Sequence, residues 1–257
     1  MEPTWAEPPA QGAASALGRA DLHAHSWWSD GAQSPEDLVR AASGRVDVLA
    51  VTDHDRIAGA RRAREFARNH PALGVDVVVG EEVSTLNGHM LALFLEEVVP
   101  AGLPAAETIE LIHEQGALAV AAHPFHPIRY RRSGHPPLAA LIPDLDLDGI
   151  EVVNNSGFSC RLYDAWAALR NTEWMLAVTG GSDAHDVAYV GSAVTRFEGR
   201  DARALQRALV ERRTRAHLEW TWTVGKIPRH FAVKVRSFVR SLDVGRRVVP
   251  AGSGGSG

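Results

Sequence analysis

The residues with the clearest chemical potential are His23 and His25, which lie two positions apart in an apolar segment. On an extended strand such residues project to the same face, so both imidazoles point into one space, as a bidentate metal clamp requires. Asp30 follows after a short loop and can bring a carboxylate to the rim of that space, while Gly31 permits a sharp turn behind it. The segment therefore predicts a metal site built partly on a strand.

Metal-competent side chains recur along the chain at the ends of apolar, β-branched runs. These segments are Thr52-Asp53-His54-Asp55, Gly80-Glu81-Glu82, Gly88-His89, His123-Pro124 and Gly181-Ser182-Asp183-Ala184-His185. One histidine pair is a weak signal, but a recurring set at strand ends is typical of a barrel of parallel strands, which gathers its chemistry at the carboxyl face. We therefore expect these side chains to meet at one mouth of a closed sheet.

These motifs, in this order and over roughly residues 19–200, resemble those of the polymerase-and-histidinol-phosphatase (PHP) family. The resemblance implies an α/β fold, namely a distorted (β/α)7 barrel with a small C-terminal extension, and a metal-dependent hydrolase. It implies nine metal ligands: His23, His25, Asp30, His54, Glu82, His89, His123, Asp183 and His185. The resemblance divides them among three ions. One ion would be held by His23, His25, Glu82 and Asp183, a second by Asp30, His54 and His185, and a third by Glu82, His89 and His123.

Some assignments within this set stay open. Strand alternation lets only one of Glu81 and Glu82 face inward, and the family pattern favours Glu82 as the bridging carboxylate. A site with two metals instead of three would leave His89 or His123 as a substrate contact. Asp53 and Asp55, which flank His54, are expected to orient imidazoles by accepting hydrogen bonds from the free N–H groups of the rings.

Clustered divalent metals predict hydrolysis, because they lower the pKa of a bridging water and clamp the attacked group. Histidine and carboxylate ligands suit two or three ions of Zn, Mn or Fe, and the sequence does not choose among them. The predicted catalytic carboxylates are Asp30, Glu82 and Asp183. His126 is a candidate proton donor to the leaving group, and Arg129 a candidate phosphate clamp.

The segment around Arg129 also contains Tyr130, Arg131 and Arg132, all at the site end of a strand. With Trp27 and Trp28 it could form a wall for an aromatic or nucleoside leaving group; the alternative is an exposed loop without a catalytic role. Asn154, at another strand end, is a candidate pocket residue.

The favoured function is hydrolysis of small phosphate esters by attack of a metal-bridged hydroxide. A rival is a carbamate, carboxyl-ester or phosphotriester hydrolase that uses the same metals but has no need of the arginines. A third hypothesis, of another class, is a non-catalytic PHP metal-binding module. Several PHP relatives carry a helical insertion between the strand that ends near Leu95 and the strand that ends at His123. In this chain only one helix and two loops lie between these residues. The shorter connection favours a small substrate over a long oligonucleotide.

The positioning elements alternate between strand and helix. Strands are predicted at residues 19–25, 46–52, 75–83, 89–95, 117–122, 149–153 and 175–179. The short turn at Asn87 and Gly88 predicts that the third and fourth of these are antiparallel. Ser34 and Pro35 predict the start of a helix that ends near Ser43.

Composition fits a soluble enzyme of one main domain. The net charge of −4 offers no attraction for nucleic acid, so no stable nucleic-acid partner is expected. Cys160 is the single cysteine, which excludes an internal disulfide and a thiolate metal site. No run is long enough to span a membrane, no secretory signal is recognised, and we expect a cytoplasmic protein.

The predicted domains are a disordered leader (residues 1–18), a metallohydrolase barrel (19–200), a C-terminal helical extension (201–247) and a flexible tail (248–257). Residues 226–247 are rich in Lys and Arg, and apolar residues recur there at near-helical spacing. Such a basic amphipathic helix can bind a membrane or nucleic acid, but it more often packs on its own barrel or on a second subunit. This helix is therefore the candidate contact surface for a homo-oligomer.

Overall fold

A computed structural model describes residues 17–126, 134–155 and 160–220, in which strands and helices alternate. The strands are β1 Gly18–Asp21, β2 Val48–Val51, β3 Asp76–Ser84, β4 His89–Leu93, β5 Leu118–Ala121, β6 Gly149–Asn154, β7 Ala177–Gly181, β8 Ala193–Phe197 and β9 Arg215–Leu218. The helices are α1 Pro35–Ala42, α2 Ala58–Asn69, α3 Ala105–His113, α4 Leu138–Leu141, α5 Cys160–Trp174 and α6 Ala202–Val210. Short 3-10 turns lie at Pro71–Leu73, Ile142–Asp144 and Val187–Tyr189.

Within the described residues the strands form one sheet in the order β7-β6-β5-β4-β3-β2-β1-β8-β9. Strands β1, β2 and β3 pair in parallel, as do β5, β6 and β7, whereas β4 is antiparallel to both of its neighbours. The antiparallel β3–β4 pair predicted from Asn87 and Gly88 is confirmed. One reversed strand among seven is the distortion of the barrel, and the predicted α/β barrel fold is confirmed.

The sheet curls until the two ends of the β1–β7 series meet. Ala24, just after β1, forms a parallel bridge with Ala184, just after β7. The carboxylate of Asp21 strengthens this closure, because it accepts the N–H and hydroxyl of Ser182 and the N–H of Gly191. The segments that carry His23 and Asp183 are thereby held side by side.

Two buried apolar layers lie on either side of the sheet. One packs the outer helices α1 and α2 against the sheet through residues such as Leu38, Leu49 and Ala60. The other fills the interior and includes Leu205 and Leu209 of α6. Because Ala202 at the start of α6 donates its N–H to Asp76 at the start of β3, this helix covers the amino ends of the strands. The predicted ligands lie at the opposite mouth of the barrel.

The elements differ locally from expectation. The first strand ends at Asp21 rather than residue 25, because the side chain of Asp21 also accepts the N–H of His23. The predicted C-terminal helical extension contains α6 but also β9, which pairs with β8. The domain boundaries stay predictions. Residues 1–16 of the predicted leader, the segment from Arg129 to Arg132, the basic segment at 226–247 and the predicted tail at 248–257 lie outside the described residues. In the described part of the chain, no helix combines the length and apolar character that crossing a membrane requires.

Candidate metal centre

Glu82 lies at the centre of a cluster of imidazoles. Its Oε1 atom is 2.6 Å from His89 Nδ1 and 3.0 Å from His123 Nε2. Its Oε2 atom lies 3.1, 3.2 and 3.3 Å, respectively, from ring nitrogens of His23, His25 and His54. Because each oxygen faces a separate group of histidines, one carboxylate can serve more than one ion.

Two aspartates complete the cluster on its other side. Asp183 Oδ1 lies 3.2 Å from His25 Nε2 and 3.6 Å from His23 Nε2. Asp30 Oδ2 lies 2.9 Å from His185 Nε2, and its Oδ1 lies 3.6 Å from His25 Nδ1. The loop after β1 and the loop after β7 thus supply carboxylates to the same space.

Within the part of the chain that the structure describes, four groups of donor atoms have the mutual distances of a metal site, with all atoms of a group within 4.8 Å of one another. They are His25, Asp30, His54 and His185; His23, Glu82 and His123; His23, His25 and Asp183; and His54, Glu82 and His89. Together they contain all nine residues that the family resemblance implied. The structure brings all nine together, while their assignment to individual ions stays a prediction.

His25 provides the test of whether this cluster fits a cation. Both of its ring nitrogens are buried, and neither has a hydrogen bond to the described residues, although carboxylate oxygens of Asp30, Glu82 and Asp183 lie within 3.6 Å. Buried polar atoms normally find partners, and imidazole with carboxylate is a donor set for divalent metals. The residues present therefore fit divalent ions.

The charges in the cluster are strongly coupled. Burial alone would lower the pKa of His25, but the neighbouring carboxylates of Asp183 and Glu82 outweigh it and raise that pKa to about 9. Burial would raise the pKa of Glu82, but His54, His89 and His23 together hold it well below its usual range. Without a cation, protons on the imidazoles balance the carboxylates, and a bound metal would take their place.

The backbone is strained at two of the nine residues. His123 has φ +27° and Asp183 has φ +50°, in the left-handed region that non-glycine residues seldom occupy. Each such residue costs about 1–3 kcal/mol and persists only when its surroundings impose it. Here the strained positions follow β5 and β7, where the chain turns so that His123 faces Glu82 and Asp183 faces His25 and His23.

Glu151 on β6 is a functional candidate that the sequence did not single out. Its Oε1 lies 3.1 Å from His23 Nδ1, while its Oε2 accepts the N–H of His123 and the side-chain amide of Asn154. The carboxylate therefore holds His23 with Nε2 turned toward Glu82, which is the arrangement that orients metal-binding imidazoles. The signal in the sequence was an acid in an otherwise apolar strand, directly before Val152 and Val153. Asn154 supports this carboxylate.

The prediction that Asp53 and Asp55 orient imidazoles is wrong. Asp53 accepts the N–H and hydroxyl of Ser26 and the hydroxyl of Ser29. Asp55 accepts the N–H of Ser84. Both carboxylates fix loops around the cluster, because their short side chains are satisfied by nearby N–H and hydroxyl groups.

The neighbouring acids of β3 point to opposite faces, as strand geometry requires. Glu82 faces the imidazoles, whereas Glu81 Oε2 accepts the N–H of Val99. Burial raises the pKa of Glu81 to about 8. The structure thus places Glu82, and not Glu81, in the cluster.

The structure describes some of the predicted substrate contacts but not all of them. The His126 ring centroid lies 6.4 Å from that of His123 and 5.5 Å from that of Tyr163. Trp27 and Trp28 are exposed on the loop after β1. Arg129, with Tyr130, Arg131 and Arg132, lies outside the described residues, so its role stays a prediction.

The chain is similar to known proteins of one family. The PHP domain model matches residues 21–136, and the PHP-associated model matches residues 167–214. An uncharacterized protein of Methanocaldococcus jannaschii is 38% identical over 148 residues, which are 53% of this chain and 81% of the relative. A phosphoribosyl 1,2-cyclic phosphate 1,2-diphosphodiesterase of Eggerthella lenta is 43% identical over 88 residues, about a third of either chain (32% of each).

Among solved structures, a two-domain protein of Bacteroides vulgatus that contains a PHP-like metal-dependent phosphoesterase superposes with a TM-score of 0.64 at 22% identity. The match covers 79% of this chain and 65% of that one. At this identity the likeness supports the fold alone. With two family models matched and the motifs gathered around Glu82, the chain belongs to the PHP family.

Proposed function

We propose that this protein is a metal-dependent phosphoesterase that hydrolyses small phosphate esters. The observation that carries the proposal is the convergence of nine His, Asp and Glu side chains at one mouth of the barrel. We assign two or three ions of Zn, Mn or Fe to this cluster. When bound, such ions acidify a water molecule and neutralise charge on the attacked phosphoryl group.

The chain's own residues divide the remaining work. Glu82 and Asp183 are buried and hold donors in place, whereas the side chains of Asp30 and His54 are each 24% exposed. This open side is where a substrate can approach. Asp30 is therefore the carboxylate best placed to orient the attacking water by accepting its hydrogen bond. Burial would raise the pKa of Asp30, but His185, His25 and His54 hold it well below its usual range, so the carboxylate stays ionised.

His126 is our candidate for the proton donor to the leaving alcohol. It follows His123 by three residues, beyond the buried part of the cluster, and its side chain is only partly buried. The arginines at positions 129, 131 and 132 would stabilise the added charge on the phosphoryl oxygens. A neutral carbamate or phosphotriester would gain little from them.

A substrate panel tests the proposal. Wild-type protein, reconstituted with Zn or Mn, is assayed against phosphomonoesters, phosphodiesters, phosphotriesters, carbamates and short oligonucleotides, and the substrates are ranked by kcat/KM. We expect small phosphate mono- or diesters to rank first, and joint replacement of Arg129, Arg131 and Arg132 by Ala to reduce these activities selectively. A higher rank for carbamates, triesters or oligonucleotides contradicts the proposal.

A further inference from the structure

A cavity of about 460 Å³ adjoins the metal centre, with His89 in its wall. His89 Nδ1 lies 2.6 Å from Glu82 Oε1, so the cavity and the cluster share this residue. His126 forms another part of the wall. A molecule whose reacting group lies in the cluster would therefore extend its remaining part into this cavity.

The walls of the cavity are mostly apolar. The apolar lining residues are Ala122, Pro124, Phe125, Pro137, Leu138 and Ala139. Asn87 also lines it, but its amide group is already used: Nδ2 donates to the Pro136 carbonyl and Oδ1 accepts the N–H of Ala105. Among the residues that the structure describes, no Asp, Glu, Lys or Arg lines this cavity.

The walls are held in place without a ligand. The N–H of Leu138 donates to the carbonyl of Asn87 at 2.7 Å, which fixes the start of α4. A Cβ atom on Gly88 would lie 3.0 Å from Leu138 Cβ, so the β3–β4 turn and α4 are in close contact. On the other side Phe125 stacks on Trp174 with an interplanar angle of 3°. A preformed wall lowers the entropy cost of binding.

We propose that this cavity binds the organic part of the substrate ester, and that this part is apolar and carries a ring. The volume lies in the range of about 300–1,000 Å³ that is usual for small-molecule sites. The apolar side chains of the wall favour an apolar ring over a charged group, whose hydration they cannot replace. The inference rests on the proposed function, because the reacting phosphoryl group is taken to lie at the metal cluster.

Binding, measured apart from turnover, tests the cavity. The probes are 2-phenylethylphosphonate, ethylphosphonate and 3-phosphonopropionate, which share a phosphonate but differ in tail, and Kd values are measured by calorimetry on Zn- or Mn-loaded protein. We expect the phenyl compound to bind at least about tenfold more tightly than the other two, since burying a ring is worth at least as much as burying a methylene. Equal affinities for the three compounds would overturn the proposal.

Two neighbouring alanines of α4 supply matched variants. Ala139 lines the cavity, whereas Ala140 is exposed and lies outside its wall. Ala139→Leu and the larger Ala139→Phe should bring the affinity ratio of phenyl to ethyl probe toward one, while Ala140→Phe keeps it. Each variant is checked for wild-type metal content and melting temperature. An Ala139 variant that folds and keeps the full ratio contradicts the proposal; if neither folds, the wild-type ratios decide.

The outcomes separate this inference from the proposed function. Tight binding of the phenyl probe without hydrolysis of 2-phenylethyl phosphate would retain the cavity assignment and reject the phosphoesterase. Hydrolysis of phosphate esters, with equal affinities for the three probes, would retain the phosphoesterase and reject the cavity assignment.

Discussion

Glu151 Oε1 lies 3.1 Å from His23 Nδ1, which joins β6 to the first metal-binding segment across the barrel interior. Glu151 is buried, and it also accepts hydrogen bonds from the N–H of His123 and from Asn154. This pair therefore fixes the orientation of His23 and the position of the chain at His123.

Replacing Glu151 should weaken metal binding. We expect Glu151→Ala to lower metal affinity about 10–100-fold, which is the usual effect of losing a partner of a metal-binding imidazole. Glu151→Gln should lose less, because its amide oxygen still accepts a hydrogen bond. Competition with a chromophoric chelator measures the affinity, and Glu173→Ala on the exposed side of α5 is the control. Unchanged affinity in Glu151→Ala would show that Glu151 does not position His23.

Metal binding should release protons at neutral pH. The pKa of His25 is raised to about 9 in the metal-free protein, so its imidazole is protonated at pH 7 and must lose that proton to bind a cation. Apparent affinity should therefore rise as pH increases toward about 9. Calorimetry at pH 7 in buffers of different ionisation enthalpy measures the number of protons released. Heats that do not depend on the buffer contradict this prediction.

Asp164 on α5 should make stability depend on pH. Burial raises its pKa to about 8, whereas in the unfolded chain this carboxyl ionises near its ordinary value of 3.8. The folded state then holds the extra proton between these values, so this group lowers stability progressively as pH rises from about 4 to about 8.

Asp164→Asn should remove that dependence while keeping an oxygen that accepts the N–H of Asn154. We expect the free energy of unfolding of the variant, relative to wild type, to increase by about 1 kcal/mol or more between pH 5 and pH 8. Urea titrations at both values measure it, with Asp146→Asn, at a 97% exposed side chain, as the control. A difference that is constant with pH would count against the raised pKa.

Asp21 should contribute to stability through barrel closure. Asp21→Ala leaves the buried N–H groups of Ser182 and Gly191 without their acceptor. Since each buried unsatisfied group costs about 1–3 kcal/mol, we expect a loss of about 3 kcal/mol in the free energy of unfolding. Denaturant titration of metal-free protein measures it apart from any effect on metal binding. A loss below about 1 kcal/mol would mean that the Ala24–Ala184 bridge closes the sheet without Asp21.

Local sequence determined the elements where neighbouring residues suffice. The Ser34 hydroxyl caps α1 as expected, because it accepts the N–H of Asp37 three residues later. The turn at Asn87 and Gly88 specified an antiparallel pair for the same reason. The end of β1 at Asp21 was missed: the Asp21 carboxylate accepts the N–H of His23, but it is held in that position by Ser182 and Gly191, which are distant in sequence.

The candidate site also contains residues that the sequence identified and contacts between distant residues that it did not. Motif order and family resemblance identified side chains that the structure brings together, while Glu151 was missed because its partner His23 is 128 positions away. Asp53 was misread, because proximity to His54 in sequence suggested an imidazole partner. Its carboxylate instead accepts the hydroxyls of Ser26 and Ser29.

The most direct test of the metal centre compares the two neighbouring acids of β3. Metal content is measured by mass spectrometry after reconstitution with Zn or Mn, for wild type, Glu82→Gln and Glu81→Gln. We expect at least two equivalents in wild type, the same in Glu81→Gln, and the loss of at least one equivalent in Glu82→Gln. Less than one equivalent in wild type, or a greater loss in Glu81→Gln than in Glu82→Gln, would contradict this expectation.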